Sequence, residues 1–422
     1  MKKVILLAVL LGAFIVLNCN DDPTRPVDGE VSINVYPVTA STAYLGDSTL
    51  ITVKVYNTQN ESVTWYVNDI AGGNDIMGTI EATSDTTGLY TAPSTAPDDF
   101  DTVIVKAVSQ ADTTKSDYTV VYILDEFLLH VDTSGVDATG KGTVANPFRT
   151  ISRALVSATE GQTVRVGTGT FNEAGGETLP LTPGSEVTVQ GQGIDTTFVE
   201  SSSSNPAFQL QNELATIQEL TIRGSDRASS IGVEFNGDAN IDNLSLAYLK
   251  IENCRIAANK AGLSDSISFK NNEVTDCVYG LVIDQPGAFL GLDGTIFTDI
   301  DSVAVDIVSQ VNPTIDFLDV TIDGALIGLN MVEGSFAIIQ SSNFANIDSA
   351  AVILHDISQL EGAFPVGNND FSGCENLCVY NASADTILAR GNIWPDTNMV
   401  IVDSLYIYDD DEDDSLGPVI YE

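Results

Sequence analysis

The sequence predicts an all-β chain in two parts: an antiparallel β-sandwich, then a solenoid of stacked coils. Three observations carry this. Short apolar–polar alternations crowd residues 31–125, and a unit built on Asn-Asn followed by a Gly-apolar-x-apolar strand recurs beyond residue 181. The stretch from Ser152 to Thr159 has helical spacing. At 422 residues the chain also exceeds one ordinary compact core, so two domains or an elongated repeat are expected.

The first eighteen residues read as an export signal. Lys2 and Lys3 form a positive end, and Val4 to Leu17 is an apolar run too short to span a bilayer comfortably. Val16-Leu17-Asn18-Cys19 resembles the lipobox of bacterial lipoproteins, which implies lipidation at Cys19. Two or more acyl chains hold such an anchor stably, because each buried methylene contributes about 0.8 kcal/mol. Residues 19–30, with two prolines and several carboxylates, then read as a flexible tether. The expected location is the bacterial envelope, at the outer membrane or cell surface.

Residues 31–125 hold strands at Val31–Val35, Leu50–Val55, Val63–Val67, Val103–Ala107 and Tyr118–Ile123, separated by Gly, Asn, Asp and Pro turns. This number of strands in so short a segment predicts an antiparallel sandwich, with Trp65 filling the space between its sheets. Val63-Thr-Trp-Tyr-Val-Asn68, Gly88-Leu-Tyr-Thr-Ala-Pro93 and the Val103 strand together resemble bacterial immunoglobulin-like domains. That likeness implies a spacer or adhesive unit and no catalytic residues.

Residues 126–180 differ in pattern. A helix is expected from Ser152 to Thr159, with Ile151, Ala154, Leu155 and Ala158 on one face. An amphipathic helix can cover the open end of a solenoid and block edge pairing there. Gly135, Asp137, Gly142, Pro147, Phe148, Thr150, Ile151 and Ala154-Leu155, then Gly161, Val164 to Val166, Gly169 to Phe171, Glu177 and Pro180-Leu181, resemble the N-terminal cap of pectate-lyase-like proteins. The likeness is strongest to bacterial surface proteins known only as a domain of unknown function. It implies that residues 181–405 form a right-handed parallel β-helix.

The repeats agree with that implication. Phe269-Lys-Asn-Asn-Glu-Val274 has looser copies at Ile339–Phe344 and Val366–Phe371. The anchors Ile222, Ile256, Val274, Phe297, Ile322, Phe344, Phe371 and Ile393 recur at a solenoid-like period. Asn suits the turns because it tolerates the left-handed conformation and its amide can bond a stacked neighbour.

Charge restricts function. Seventeen Lys and Arg against 59 Asp and Glu leave −42, which argues against nucleic-acid binding and disfavours acidic polysaccharides. The run Asp409 to Asp414 closes the chain in an acidic segment, residues 406–422. Self-repulsion should keep it solvated. Its carboxylates Asp409, Asp410, Asp411, Asp413 and Asp414 also have the oxygen chemistry for Ca²⁺, although the EF-hand spacing is missing. No other cofactor is expected. Cys374 and Cys378 could meet across a turn as a disulfide, with buried free thiols as the alternative; Cys254 and Cys277 are the other two thiols outside the signal region.

No catalytic site is identifiable. A uronan lyase of this fold needs a basic residue on the outer face of a middle turn, and beyond Lys270 the chain carries one cation, Arg390. Earlier candidates are Arg223, Arg227, Lys250, Arg255, Lys260 and Lys270, without a Pro-flanked Arg motif. A hydrolase would use paired Asp, and Asp299, Asp301, Asp316, Asp319 and Asp323 are too many to choose among. His130 and His355 read as structural. The leading expectation is a monomeric, lipid-anchored surface protein presenting its β-helix to a glycan or a partner protein. A polysaccharide lyase or glycoside hydrolase is the alternative, and a purely structural envelope component the third.

Overall fold

A computed structural model of the chain describes residues 30–38, 41–95, 97, 102–125, 127–202, 205–236, 243–261, 266–284, 289–308, 314–331, 336–355 and 368–421. The export signal, Cys19 and the tether through residue 29 lie outside the described residues. Two compact units are present, meeting in sequence at Ile123 and Leu124. Among the described residues no helix is long and apolar enough to cross a membrane.

The first unit contains two five-stranded sheets whose long strands pair antiparallel. Period-2 alternation places one face of each inside. Strand Ser32–Tyr36 alternates exposed and buried residues, and Val63–Val67 buries Val63, Trp65 and Val67. The inner faces meet at Trp65. A Cβ added to Gly88, in the opposite sheet, would lie 2.8 Å from the indole. The buried Tyr90 hydroxyl donates to the Met77 carbonyl at 2.8 Å, and burial pushes its phenol well above the usual range.

The second unit is a parallel β-solenoid of about 8 turns. A nine-stranded parallel sheet runs from Leu128–Val131 to Phe336–Gln340. A larger sheet supplies the other flanks, where paired legs such as Glu273–Cys277 and Tyr279–Ile283 fuse in later turns into long bent strands such as Ile296–Ile307. The ladder is more extensive than the 181–405 boundaries suggest. Leu128–Val131 already pairs in parallel with Thr163–Val166, and Val419–Ile420 pairs with Ile387–Leu388. The acidic run is therefore a folded turn inside the last coil. Asp409 is buried and accepts hydrogen bonds from Val419 N at 2.6 Å and Asp411 N at 3.3 Å.

Two interior columns interlock. One stacks Phe171, Val199, Ile222, Ile251, Val274, Phe297, Ile322 and Phe344 in register. Phe371 and Trp394 continue it, with ring centroids 5.0 and 5.3 Å apart and near-parallel planes. Two expected anchors are thereby corrected. Ile256 opens the next leg, opposite Ile231, and Ile393 is 54% exposed while Trp394 beside it takes the interior place. The second column is small: Gly232, Ala257, Gly280, Ala304, Gly328, Ala351 and Cys378. A Cβ on Gly280 would lie 2.8 Å from the Phe297 ring, and one on Gly328 3.2 Å from the Phe344 ring. The glycines make room for the large side chains.

The corners explain the Asn-Asn signature. Asn271 and Asn368 take the left-handed conformation, with φ of 51° and 45°. Their followers are buried and bridge to the preceding turn. Asn272 Oδ1 accepts from Leu249 N and its amide donates to Leu246 O, both at 2.9 Å. Asn369 Oδ1 accepts from Ser342 N at 2.9 Å and its amide donates to Ile339 O at 3.0 Å. Asn369→Ala would leave both backbone groups unpaired in the interior, an expected loss of about 2–4 kcal/mol. Urea unfolding of the two proteins measures it.

The helix spans Ile151–Ser157, two residues short of the expected Thr159, and buries Ile151 and Ala154. Its first N–H groups are taken by side chains that carried the cap resemblance. Thr150 Oγ1 accepts from Arg153 N, and Glu177 accepts from Ile151 N at 2.7 Å and Ser152 N at 2.9 Å. Asp137 in turn accepts from Arg149 N and Thr150 N. Burial pushes the Glu177 carboxyl upward, outweighing the pull of these donors.

Candidate functional site

A second column of left-handed residues runs along the corner where paired legs meet: Asn253, Asp276, Asp299, Gly324 and Asn346, with φ between 51° and 85°. Only glycine or a short polar side chain adopts this conformation cheaply. In two successive turns the residue is Asp. Two positions farther along, the chain places Asp301 and Asp348 beside that column.

Arg227, on the loop Ser225–Ser230, faces these residues. Asp226 shapes the loop by accepting from Ala228 N at 3.0 Å and the Ser229 hydroxyl at 2.9 Å, bonds that hold its carboxyl below the usual range. Arg227 leaves this loop and reaches across two later turns. Its Nε lies 3.2 Å from Asp276 Oδ1 and its Nη1 2.8 Å from Asp301 Oδ2. Nε also donates to the Asp276 carbonyl at 2.9 Å. Among these residues lies an open cleft of about 560 Å³, with Ile300, Ala325 and Leu326 contributing its apolar surface.

Four carboxylates and one guanidinium line the cleft. Asp299 and Asp348 form no ion pair among the described residues. The arrangement supplies many acceptors, one cationic donor group and a small apolar patch at Leu326, which is 42% exposed. That chemistry suits hydroxyl-rich or cationic ligands and opposes anionic ones.

Of the cations considered for a lyase, Arg227 lies in the cleft, and Arg223, Lys250 and Lys260 lie elsewhere. Arg223 pairs with Glu252 at 2.7 Å and Glu200 at 3.9 Å, and its guanidinium sits 4.7 Å from the Phe198 ring. Lys250 reaches Glu252 at 3.2 Å and Glu273 at 3.4 Å. Burial raises the Glu252 carboxyl, yet Arg223 and Lys250 outweigh it and hold the group below the usual carboxylate range. Lys260 is fully buried, between Phe235 and Ile283 in the ladder. Arg223 and Lys250 are therefore held in ion pairs at the surface, and Lys260 is enclosed in the coil. His130 lies on the first strand of the ladder, and the side chain of His355 lies outside the described residues.

The terminal acidic run is not gathered into a metal cage. Asp409 turns inward, while Asp413 accepts from its neighbour Ser415. Among the described residues no three His, Cys, Asp or Glu side chains are placed to hold a metal ion. Cys374 and Cys378 are buried, unbridged thiols, as are Cys254 and Cys277.

Fold and cleft together define a parallel β-solenoid with an acidic outward corner. The chain belongs to the family described as "Protein of unknown function (DUF1565)", which matches residues 133–399. Among curated proteins none matches it. Similar solved structures include the catalytic domain of a GH87 α-1,3-glucanase, with a TM-score of 0.39, 9% identity and 85% of each chain covered. A GH136 lacto-N-biosidase from Eubacterium ramulus has a TM-score of 0.37 and 10% identity, over 71% of this chain and 67% of that one. The catalytic unit of a thermostable GH87 α-1,3-glucanase from Streptomyces thermodiastaticus strain HF3-3 has a TM-score of 0.32 and 12% identity, over 93% and 85%.

Proposed function

We propose that the protein is a lipid-anchored component of a bacterial envelope that binds neutral polysaccharide along the acidic corner of its solenoid. The carrying observation is the cleft beneath Arg227, where Asp276, Asp299, Asp301 and Asp348 converge from stacked turns. Vicinal hydroxyls of a sugar can donate to paired carboxylate oxygens, and Leu326 can contact a pyranose face. Repeating turns suit a repeating polymer.

The remaining parts fit that reading. Cys19 carries the anchor, residues 31–125 serve as an immunoglobulin-like spacer, and the helix at Ile151–Ser157 covers the first coil. The two-sheet architecture around Trp65 and the burial of Ile151 support the last two assignments.

A soluble form beginning at Asn20 should bind neutral glucans or xylans and not polygalacturonate, with or without added calcium. Asp299→Ala combined with Asp348→Ala should weaken that binding at least roughly tenfold, equivalent to about 1.4 kcal/mol. Equal binding to the acidic polymer, or indifference to the double variant, would remove the cleft from the function. Asp299 and Asp301 share one turn, which keeps hydrolysis as a second reading. Release of reducing ends that Asp299→Asn abolishes would establish that reading instead.

A further inference from the structure

Beneath the cleft lie two thiols whose placement calls for an explanation. The strand register sets Lys250, Ile251 and Glu252 against Glu273, Val274 and Thr275, and two residues onward it brings Cys254 beside Cys277. Val278 N donates to the Cys254 carbonyl at 3.0 Å, so the backbones remain laddered at this point. Both side chains are fully buried. Adjacent parallel strands stand about 4.8 Å apart, inside the range over which a disulfide joins two Cα atoms.

We propose that Cys254 and Cys277 form a cross-turn disulfide in the exported protein, linking two successive coils directly under the candidate cleft. The inference is independent of what the cleft binds. The two thiols are chemically unequal. The hydrogen bond with Cys277, then burial, pushes Cys254 well up, while the reciprocal bond from Cys254 lowers Cys277. Arg227 adds to the lowering at Cys277, whose carbonyl accepts from its guanidinium at 3.3 Å.

Oxidation takes two steps. The Cys277 thiolate attacks an external disulfide, either a small-molecule one or that of a thiol oxidoreductase, and expels one thiolate. Cys254 then loses its proton, attacks the Cys277 sulfur of the mixed disulfide and expels the second. Two protein thiols become one disulfide, the external disulfide is reduced to two thiols, and the protons of both cysteines end on those thiols. Because both side chains are buried in the finished coil, the exchange takes place while the turns are still stacking.

The test uses the full chain in detergent, unfolded with reductant and refolded in a buffer of reduced and oxidised glutathione. Free thiols are then alkylated under denaturing conditions and the protein is mapped by non-reducing mass spectrometry. The expected result is a linked pair of peptides carrying Cys254 and Cys277, 2 Da lighter than their reduced sum, as for any disulfide. Reductant should lower the thermal midpoint of the wild type by roughly 5 °C and leave Cys254→Ala/Cys277→Ala unmoved. Full alkylation of both cysteines in correctly refolded protein would overturn the proposal. So would a map in which the only bridge joins Cys374 to Cys378.

Discussion

Gly280→Ala is expected to destabilise the solenoid by about 2–4 kcal/mol, although it adds a single methyl group. The new Cβ would lie 2.3 Å from the Ala304 carbonyl oxygen and 2.8 Å from Cδ1 of Phe297. The first of these atoms belongs to the backbone of the next turn, which cannot withdraw without breaking the ladder. The second belongs to the stacked interior column. The usual entropic benefit of replacing glycine, under about 1 kcal/mol, is too small to offset the clash. Gly291→Ala is the matched control, because there the nearest contact is the outer edge of the Phe289 ring at 3.3 Å. It should change stability by less than about 0.5 kcal/mol. Urea unfolding curves for the three proteins would show whether the small column is a steric requirement. Equal midpoints for Gly280→Ala and wild type would refute that account.

Phe371→Ala is the second large effect, an expected loss of about 3–5 kcal/mol. Phe371 is fully buried between Phe344 and Trp394, its ring nearly parallel to both. Truncation removes both stacking contacts and leaves a void that neighbouring strands, tied in register, cannot collapse to fill. Phe371→Leu should recover much of the loss, because volume counts for more here than aromaticity. The damage should also be local. Hydrogen exchange should accelerate at the backbone amides near Phe344 and Ile393 while those of the Leu128–Val131 ladder remain protected. Uniform acceleration along the whole unit would instead mean that the solenoid opens as one body.

Much of the fold was legible because two spacings in the sequence have separate physical causes. The Gly-apolar-x-apolar strands at Gly232, Gly280 and Gly328 mark places where a Cβ would strike the next turn or the facing column. The Asn-Asn pairs combine a left-handed corner with a buried bridge, as at Asn271-Asn272. Register was less legible. Ile256 sits near an apolar column by spacing alone, and only strand pairing reveals that Ile251 is the stacked residue. The extent of the solenoid was hidden for a similar reason. Asp409 looks like part of a solvated run until its hydrogen bond to Val419 is seen to fold it inward.

The candidate site was legible only in composition. Asp299 and Asp301 were two among many carboxylates, and nothing in their local sequence distinguishes them from Asp316 or Asp319. What singles out Asp301 is Arg227, more than seventy residues earlier, which reaches it from a loop that no repeat pattern describes, and Asp299 lines the same cleft. A search for Asp or Asn at left-handed corners in consecutive turns would have recovered Asp276 and Asp299, because that column follows the same period as the core. Asp348 would have followed from Asn346 in the same way.

The interlocked columns bear on how such a chain can change over generations. Each turn touches chiefly the turn before it and the turn after, so gene segments encoding whole coils can be duplicated or lost without redesign elsewhere. Joining Glu252 directly to Asp276 would remove one complete coil and still set Val199, Ile222, Ile251 and Phe297 in line. A deletion one residue longer or shorter would turn over the strand at the junction, pointing its interior residues outward and its outward residues into the core. Heredity in this architecture therefore proceeds in quanta of one coil, and the cleft can be lengthened or shortened only in the same increments.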